Sequence, residues 1–318
     1  MTRYSVVVTE TIHPDGIDLL RKECEVIELS SGSDETLLLS YAEKADALLT
    51  RGGIKVKRPF MEAAHKLKVI AVHGVGADHV DLDTAADLGI AVFNTPTALT
   101  ETVAELTVAL LLALIRRVVS ADKAVRAGEW SRKYSDLIGS ELMGKTVGII
   151  GLGRIGTAVA RRLKGFDVNL LYYDVTRKRE VEDELNTQHT ELNNLLSTSD
   201  IITLHMPLTS ETHHLISHRE FNMMKKGAYL INMARGKIID ENALIEALRS
   251  GKLAGAALDV FEEEPPKADN PLLSFDNVVL TPHIGASSRE AMRRMAIQSA
   301  EGILKVFRGE TPPNIVKP

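Results

Sequence analysis

Cysteine is almost missing from this chain: among 318 residues, Cys24 is the single thiol. One thiol closes no internal disulfide and builds no cysteine zinc site, so disulfide-stapled scaffolds and zinc fingers are excluded. A basic excess is also lacking. The formal net charge is −5, which gives no electrostatic reason to expect nucleic acid or an anionic membrane as partner. The first residues hold a short apolar run but no signal-peptide core or cleavage site. Nor is there a long uninterrupted hydrophobic stretch. The best helical candidate, "VAELTVALLLALI", contains Glu105, stops at Arg116-Arg117 and reads as too short to span a bilayer. Low-complexity tracts and short-period repeats are absent. What remains is the profile of a cytoplasmic enzyme without membrane or nucleic-acid partners.

The length suggests two domains, and 44% hydrophobic residues are an ordinary soluble-protein share. The first hundred residues alternate short apolar runs ("YSVVVT", "EVIEL", "DALLT", "LKVIAV", "LGIAVFN") with helical patterns. That alternation predicts βαβ units and a parallel sheet. One long helix is expected over 100–128, with Thr100 as N-cap. A second series follows, with strands expected at "TVGII", "NLLYYD", "DIITLH", "AYLINMA", "GAALDV" and "NVVLTPH", before a closing helix after His283. The fold expected is α/β, with two doubly wound parallel-sheet lobes.

The second series opens with "GIIGLGRIG". Gly151, Gly153 and Gly156 have the spacing that gives a tight turn, backbone approach to a pyrophosphate, and close helix–strand packing. The following helix offers free N–H groups to phosphates. By itself the spacing is weak evidence, since a glycine turn can simply pack. Here the next strand ends in Asp174, where a carboxylate accepts both ribose hydroxyls of NAD and repels a 2′-phosphate. Arg177, Lys178 and Arg179 lie just beyond and keep NADP open; NAD is the favoured cofactor.

In open α/β sheets, ligands bind beyond the carboxyl ends of the strands. Arg235 follows "LINMA", Glu264 lies in the loop after "AALDV", and His283 follows "VVLTP". Hydride transfer between a nicotinamide and a carbonyl needs a proton donor, which a histidine can be near neutral pH. It also needs a carboxylate to orient and support the imidazolium, and a cation to hold the substrate. A guanidinium grips a carboxylate bidentately, so Arg235 is the expected anchor of a 2-oxo acid. Singly, each residue has a plainer reading: a surface ion pair, a packing histidine, a solvated acidic turn in "EEEPP". Their joint placement at strand ends beyond a dinucleotide cradle points to catalysis. His213, His214 and His218 lack the glutamate of a zinc-protease helix, and no metal is expected.

The motifs "HGVGADHVDLDTAADLGIAVFNTP", "GKTVGIIGLGRIG", "LINMARGKIIDENAL", "AALDVFEEEPP" and "NVVLTPHIGASS" together resemble the D-2-hydroxyacid dehydrogenase family, from about Asp46 onward. The resemblance implies a Rossmann NAD domain over 100–287 and a flavodoxin-like substrate domain made of 1–99 and 288–318, with the active site in the cleft between them. It implies that Arg235 binds the substrate carboxylate and that Glu264 and His283 form the acid–base pair. Val75 and Gly76 would offer backbone N–H groups to the substrate. Cofactor contacts would include Arg154, Ile155, Met206, Pro207, Thr212, Ala234 and Asp259 besides the glycines and Asp174. A homodimer is implied, joined through the long helix and its extension toward "GEWSRKYSDL". "YYDVTRK" and "GETPP" look like glyoxylate/hydroxypyruvate and 2-ketogluconate reductases. "LIGSELMGKT" and "TRGGIKV" look more like 3-phosphoglycerate dehydrogenases, in which an arginine matching Arg51 meets the substrate phosphate, though the regulatory C-terminal domain that many of those carry is lacking. Non-enzymatic NAD-binding co-repressors share the fold and form the competing class.

Overall fold

The computed structural model describes residues 3–30 and 32–318. The chain divides into two compact units, Met1–Leu99 with Ala286–Pro318, and Thr100–Gly285. In the first unit, strands β1 (Ser5–Val8), β2 (Glu25–Glu28), β3 (Ala47–Thr50), β4 (Val69–Val72) and β5 (Ala91–Asn94) form one sheet. Its order is β2-β1-β3-β4-β5 and every pair is parallel. This is the flavodoxin-like order, with its switch point between β1 and β3.

The strands read as nearly continuous apolar runs because both sheet faces are covered. Val7, Leu48, Ile70 and Val72 face one buried cluster, whereas Val6, Val8, Leu49, Val69 and Ala71 face the other. The connecting helices are α1 (Pro14–Glu23), α2 (Glu35–Ser40), α3 (Arg58–Ala63) and α4 (Leu82–Asp87). Of these, α4 was not evident in the sequence.

The helix leaving β5, α5, runs from Pro96 to Ile115 and is followed by α6 (Val118–Arg126). The single helix expected over 100–128 is therefore wrong at both ends. It starts earlier because Pro96 suits the first turn, where a missing N–H costs nothing. It breaks at Arg117, which adopts a left-handed φ of 54°. The chain passing at Gly139 and Ser140 seals the break, with Ser140 N–H donating to Ile115 O at 2.8 Å. The estimate that this helix is too short for a bilayer also fails. At 20 residues α5 is long and apolar enough by length and composition, yet half of its apolar window is buried inside the protein.

In the second unit, the strands are β6 (Thr146–Ile150), β7 (Asn169–Tyr173), β8 (Thr187–His189), β9 (Ile201–Leu204), β10 (Ala228–Asn232), β11 (Leu253–Leu258) and β12 (Val278–Leu280). The sheet order is β12-β11-β10-β9-β6-β7-β8, again all parallel. Six of the seven were expected; edge strand β8 was not. Helices α7 (Arg154–Leu163), α8 (Arg179–Leu185), α9 (Leu192–Thr198), α10 (His218–Met223) and α11 (Glu241–Arg249) connect them. The first unit closes with α12 (Arg289–Phe307), which buries Ala296, Ala300, Ile303 and Leu304. The fit of α12 on α1 is close: a Cβ on Gly16 would lie 2.7 Å from Ala296 O.

Candidate active site

Strand order reverses between β6 and β9, and the glycine loop emerges there. Gly151 has φ +93°, and a Cβ on it would sit 2.8 Å from the backbone of His205 and Met206, which follow β9. A Cβ on Gly156 would lie 2.1 Å from Gly151 O, so α7 presses against the loop. Gly153 differs: nothing lies within 4 Å of its would-be Cβ. The middle glycine thus guards open space at the start of α7, where no side chain caps the helix. That is the fit a pyrophosphate requires. Arg154 and Ile155 form the first turn of α7.

Asp174 stands at the carboxyl end of β7. Its Oδ2 accepts Leu152 N–H at 2.8 Å, which ties the carboxylate to the glycine loop. Its Oδ1 accepts Thr176 N–H at 3.0 Å. Each oxygen keeps lone-pair capacity for a ribose hydroxyl. Met206, Pro207 and Thr212 lie in the segment after β9, with the Thr212 hydroxyl donating to Pro207 O at 2.7 Å. His205 beneath the loop is held neutral, its pKa pushed down to about 3 by burial.

Arg235 follows β10 through a turn made by buried Asn232. The Asn232 side chain accepts Ala234 N–H at 3.0 Å and donates to Arg235 O at 2.9 Å. One guanidinium nitrogen of Arg235 donates to Ala234 O at 2.7 Å. Gly236 must be glycine, because its Cβ would fall 1.9 Å from the Phe261 backbone. The arginine turn is thereby packed against the loop that carries Glu264.

That loop follows β11 and bears a cis Glu264-Pro265 bond. Glu264 Oε1 accepts Phe261 N–H at 3.0 Å, and Oε2 meets His283 Nδ1 at 2.7 Å. The His283 and Glu264 side chains are 51% and 37% exposed, so solvent can reach the pair. Hydrogen bonding to Glu264 raises the His283 pKa, more than burial lowers it; the Glu264 charge adds to the rise and Arg235 opposes it. Burial pushes Glu264 up, but the His283 hydrogen bond and charge, together with the Phe261 N–H and the Arg235 charge, outweigh it and leave the carboxyl below its ordinary value.

His283 has a left-handed φ of 51°, and Asp259 holds it there. His283 N–H donates to Asp259 O at 2.8 Å. The buried Asp259 carboxylate accepts from the Thr281 hydroxyl at 2.6 Å, Ile284 N–H at 2.9 Å and Gly285 N–H at 2.7 Å. The second unit therefore brings Arg235, Glu264 and His283 onto loops after β10, β11 and β12. With Nδ1 on Glu264, the imidazole has Nε2 for proton transfer. Buried Ala234 lies in the arginine turn.

Of the three histidines weighed as a metal cluster, His213 stacks on His214 and the other two go to separate carboxylates. His214 Nε2 is 2.6 Å from Glu262, and His218 Nδ1 is 3.4 Å from Glu246. Only His218 is on a helix. His214 and Glu262, together with Asn232, are the supporting residues that sequence reasoning missed.

Arg51, Val75 and Gly76 belong to the first unit. Arg51 follows β3, its N–H donating to Glu10 at 2.9 Å and its guanidinium to Thr11 O at 2.7 Å. Val75 and Gly76 follow β4, and Asn94 Nδ2 pins the loop by donating to Val75 O at 2.7 Å.

Fold and cradle together define a dinucleotide-binding α/β oxidoreductase. Residues 108–285 match the D-isomer specific 2-hydroxyacid dehydrogenase, NAD binding domain, and the chain belongs to that family. A glyoxylate reductase of Thermofilum pendens is 48% identical over 323 residues, 99% of this chain and 95% of its own. A D-3-phosphoglycerate dehydrogenase of Methanocaldococcus jannaschii is 47% identical over 98% of this chain but 59% of its own. The crystal structure of an NADPH-dependent glyoxylate/hydroxypyruvate reductase from Sinorhizobium meliloti, in complex with NADP and malonate, superposes with a TM-score of 0.89 at 32% identity, covering 99% of this chain and 97% of that one. The chain is an NAD(P)-dependent D-2-hydroxyacid dehydrogenase acting on small 2-oxo and 2-hydroxy acids.

Proposed function

We propose that this dehydrogenase is an NADH-dependent glyoxylate reductase that also takes hydroxypyruvate. The 2.7 Å bond between His283 and Glu264 carries the chemical part of this reading. A carbonyl that accepts a hydride becomes an alkoxide and needs a proton at once. Protonated His283 supplies it from Nε2, and Glu264 keeps the imidazolium stable and correctly turned. Arg235 grips the substrate carboxylate in a bidentate fork. The bound nicotinamide supplies or removes the hydride; Gly151, Gly153, Arg154, Ile155, Gly156, Asp174, Met206, Pro207, Thr212, Ala234 and Asp259 are the residues assigned to hold it. NADH is favoured because Asp174 stands where a 2′-phosphate would meet a negative charge.

Support for glyoxylate comes from the Thermofilum relative, which matches this chain almost end to end. The phosphoglycerate dehydrogenase matches at nearly equal identity, and makes 3-phosphohydroxypyruvate the second reading. Glyoxylate has no group beyond its carboxylate and aldehyde, so it asks nothing of Arg51; a phosphorylated substrate would. Arg51, Val75 and Gly76 remain assigned to the substrate. The assembly proposed is a homodimer, cytoplasmic, with its interface on α6 and the segment after it, where Val125, Trp130, Tyr134 and Ile138 are each more than half exposed. Rates with glyoxylate, hydroxypyruvate, 2-ketogluconate and 3-phosphohydroxypyruvate, each with NADH and NADPH, test the reading. A phosphorylated substrate preferred over glyoxylate would overturn it.

A further inference from the structure

The turn after β7 places Arg177, Lys178 and Arg179 within five residues of Asp174. A guanidinium in such a turn is the usual means of accommodating a 2′-phosphate. Arg177 is held elsewhere. Its Nε lies 2.9 Å from Glu182 Oε1 and its Nη2 lies 2.8 Å from Oε2, a two-toothed pairing. Glu182, on α8, is itself fixed from below. The Tyr172 hydroxyl donates to Oε1 at 2.6 Å and accepts Lys178 N–H at 2.8 Å.

The exposures show which partner is anchored. Tyr172 is fully buried; the Glu182 side chain is 14% exposed and that of Arg177 56%. The carboxylate is the fixed half and the guanidinium the captured one. Hydrogen bonds from Arg177 and Tyr172 pull the Glu182 pKa down to about 2, so it is charged at any working pH. Opposite this, Asp174 points its Oδ2 back to the glycine loop through Leu152 N–H. Asp174 thus ties the turn to the glycine loop and Glu182 ties it to α8, and Val175 in the turn is 93% exposed.

We propose that Glu182 is a second determinant of cofactor choice: by holding Arg177 in a bidentate ion pair it denies that guanidinium to a 2′-phosphate. Discrimination against NADPH then outlasts the loss of Asp174. This rests on the NADH reading given above. The plainer role, anchoring α8 through the Tyr172 hydroxyl, needs no charge on Glu182, since a glutamine in its place keeps that acceptor.

The test compares kcat/KM with NADPH and NADH, and NADPH dissociation constants from fluorescence titration. Asp174→Ser alone should raise the NADPH/NADH ratio by about tenfold, since it removes repulsion without supplying a cation. Glu182→Gln alone should change the ratio by less than about threefold, because Asp174 still repels. Together they should exceed the product of the single effects by about tenfold or more, as coupled groups do. Adding Arg177→Ala to the double variant should erase that excess. Should the double variant fail to fold, Arg177→Ala placed on Asp174→Ser still decides. No change in NADPH affinity means Arg177 is captured; a loss means it already reaches the phosphate, which overturns the proposal. A merely multiplicative double variant, or an excess that survives Arg177→Ala, overturns it as well. The NADH reading fails separately, if the unmodified enzyme uses NADPH as well as NADH.

Discussion

The two working regions along the carboxyl edge of the second unit's sheet are built by opposite means. At residues 151–156 the shape comes from missing side chains: two glycines sit where a Cβ would strike backbone, and one borders open space. At residues 232–285 the shape comes from side chains that are present and bonded. Asn232 folds the arginine turn, Asp259 holds the histidine loop, and Glu264 holds the histidine ring. The difference teaches that the phosphate cradle and the acid–base pair have separate structural supports here, although Ala234 and Asp259 of the second region are also assigned to the cofactor. They should therefore be separable by mutation.

The sharpest separation is His283→Ala. Loss of the proton donor should lower turnover roughly 10²–10⁴-fold, while NADH titration returns the wild-type affinity. An equal loss of NADH binding would mean the two regions are not independent.

Arg235→Ala comes next. Losing one partner of a charge-assisted bidentate pair costs on the order of 2–5 kcal/mol, seen as a raised KM for glyoxylate with NADH affinity nearly intact. Arg235→Lys should rescue only part, because an ammonium lacks the planar fork. A variant that loses NADH instead would place Arg235 at the cofactor.

Within the cradle, Gly153→Ala and Gly156→Ala should part company. The first adds a methyl to open space, so thermal stability should hold while NADH binding weakens. The second drives a Cβ to 2.1 Å from Gly151 O and should also lower stability, by about 1–3 kcal/mol as overpacking does. Calorimetry beside NADH titration checks this; identical melting temperatures for the two variants would contradict it.

The same contrast explains what the sequence disclosed. Apolar strands such as "LLYY" and "AYLIN" announce a buried parallel sheet, and a charged residue or histidine in the loop that follows one stands out. The positions of Arg235, Glu264 and His283 in loops after strands were legible for that reason, and the glycine turn from its spacing. Strand β8, "TQH", escaped because three polar-leaning residues at a sheet edge have no apolar run. Helix α8, "REVEDEL", offers only Val181 and Leu185 to a periodicity argument. The break at Arg117 was hidden because its cause, Ser140 bonding Ile115 O, lies some twenty-five residues away. The capture of Arg177 was invisible for a related reason: read along the chain, Arg177 looked free to meet a phosphate, and only the packing of α8 on Tyr172 brings Glu182 to it.

The central claim is that Glu264 acts through His283. Since the carboxylate raises the histidine pKa, and reduction needs the protonated ring, the rate should be full below that pKa and fall as pH rises through it. Glu264→Gln keeps the shape and a hydrogen bond but deletes the charge. The decisive measurement is the pH–rate profile of single-turnover NADH oxidation by glyoxylate, for wild type and Glu264→Gln. The descending limb should move to lower pH in the variant, and combining it with His283→Ala should add no further loss. A limb that stays in place would show that Glu264 is one more carboxylate of the acidic turn, and the proposed pair would not exist as a functional unit.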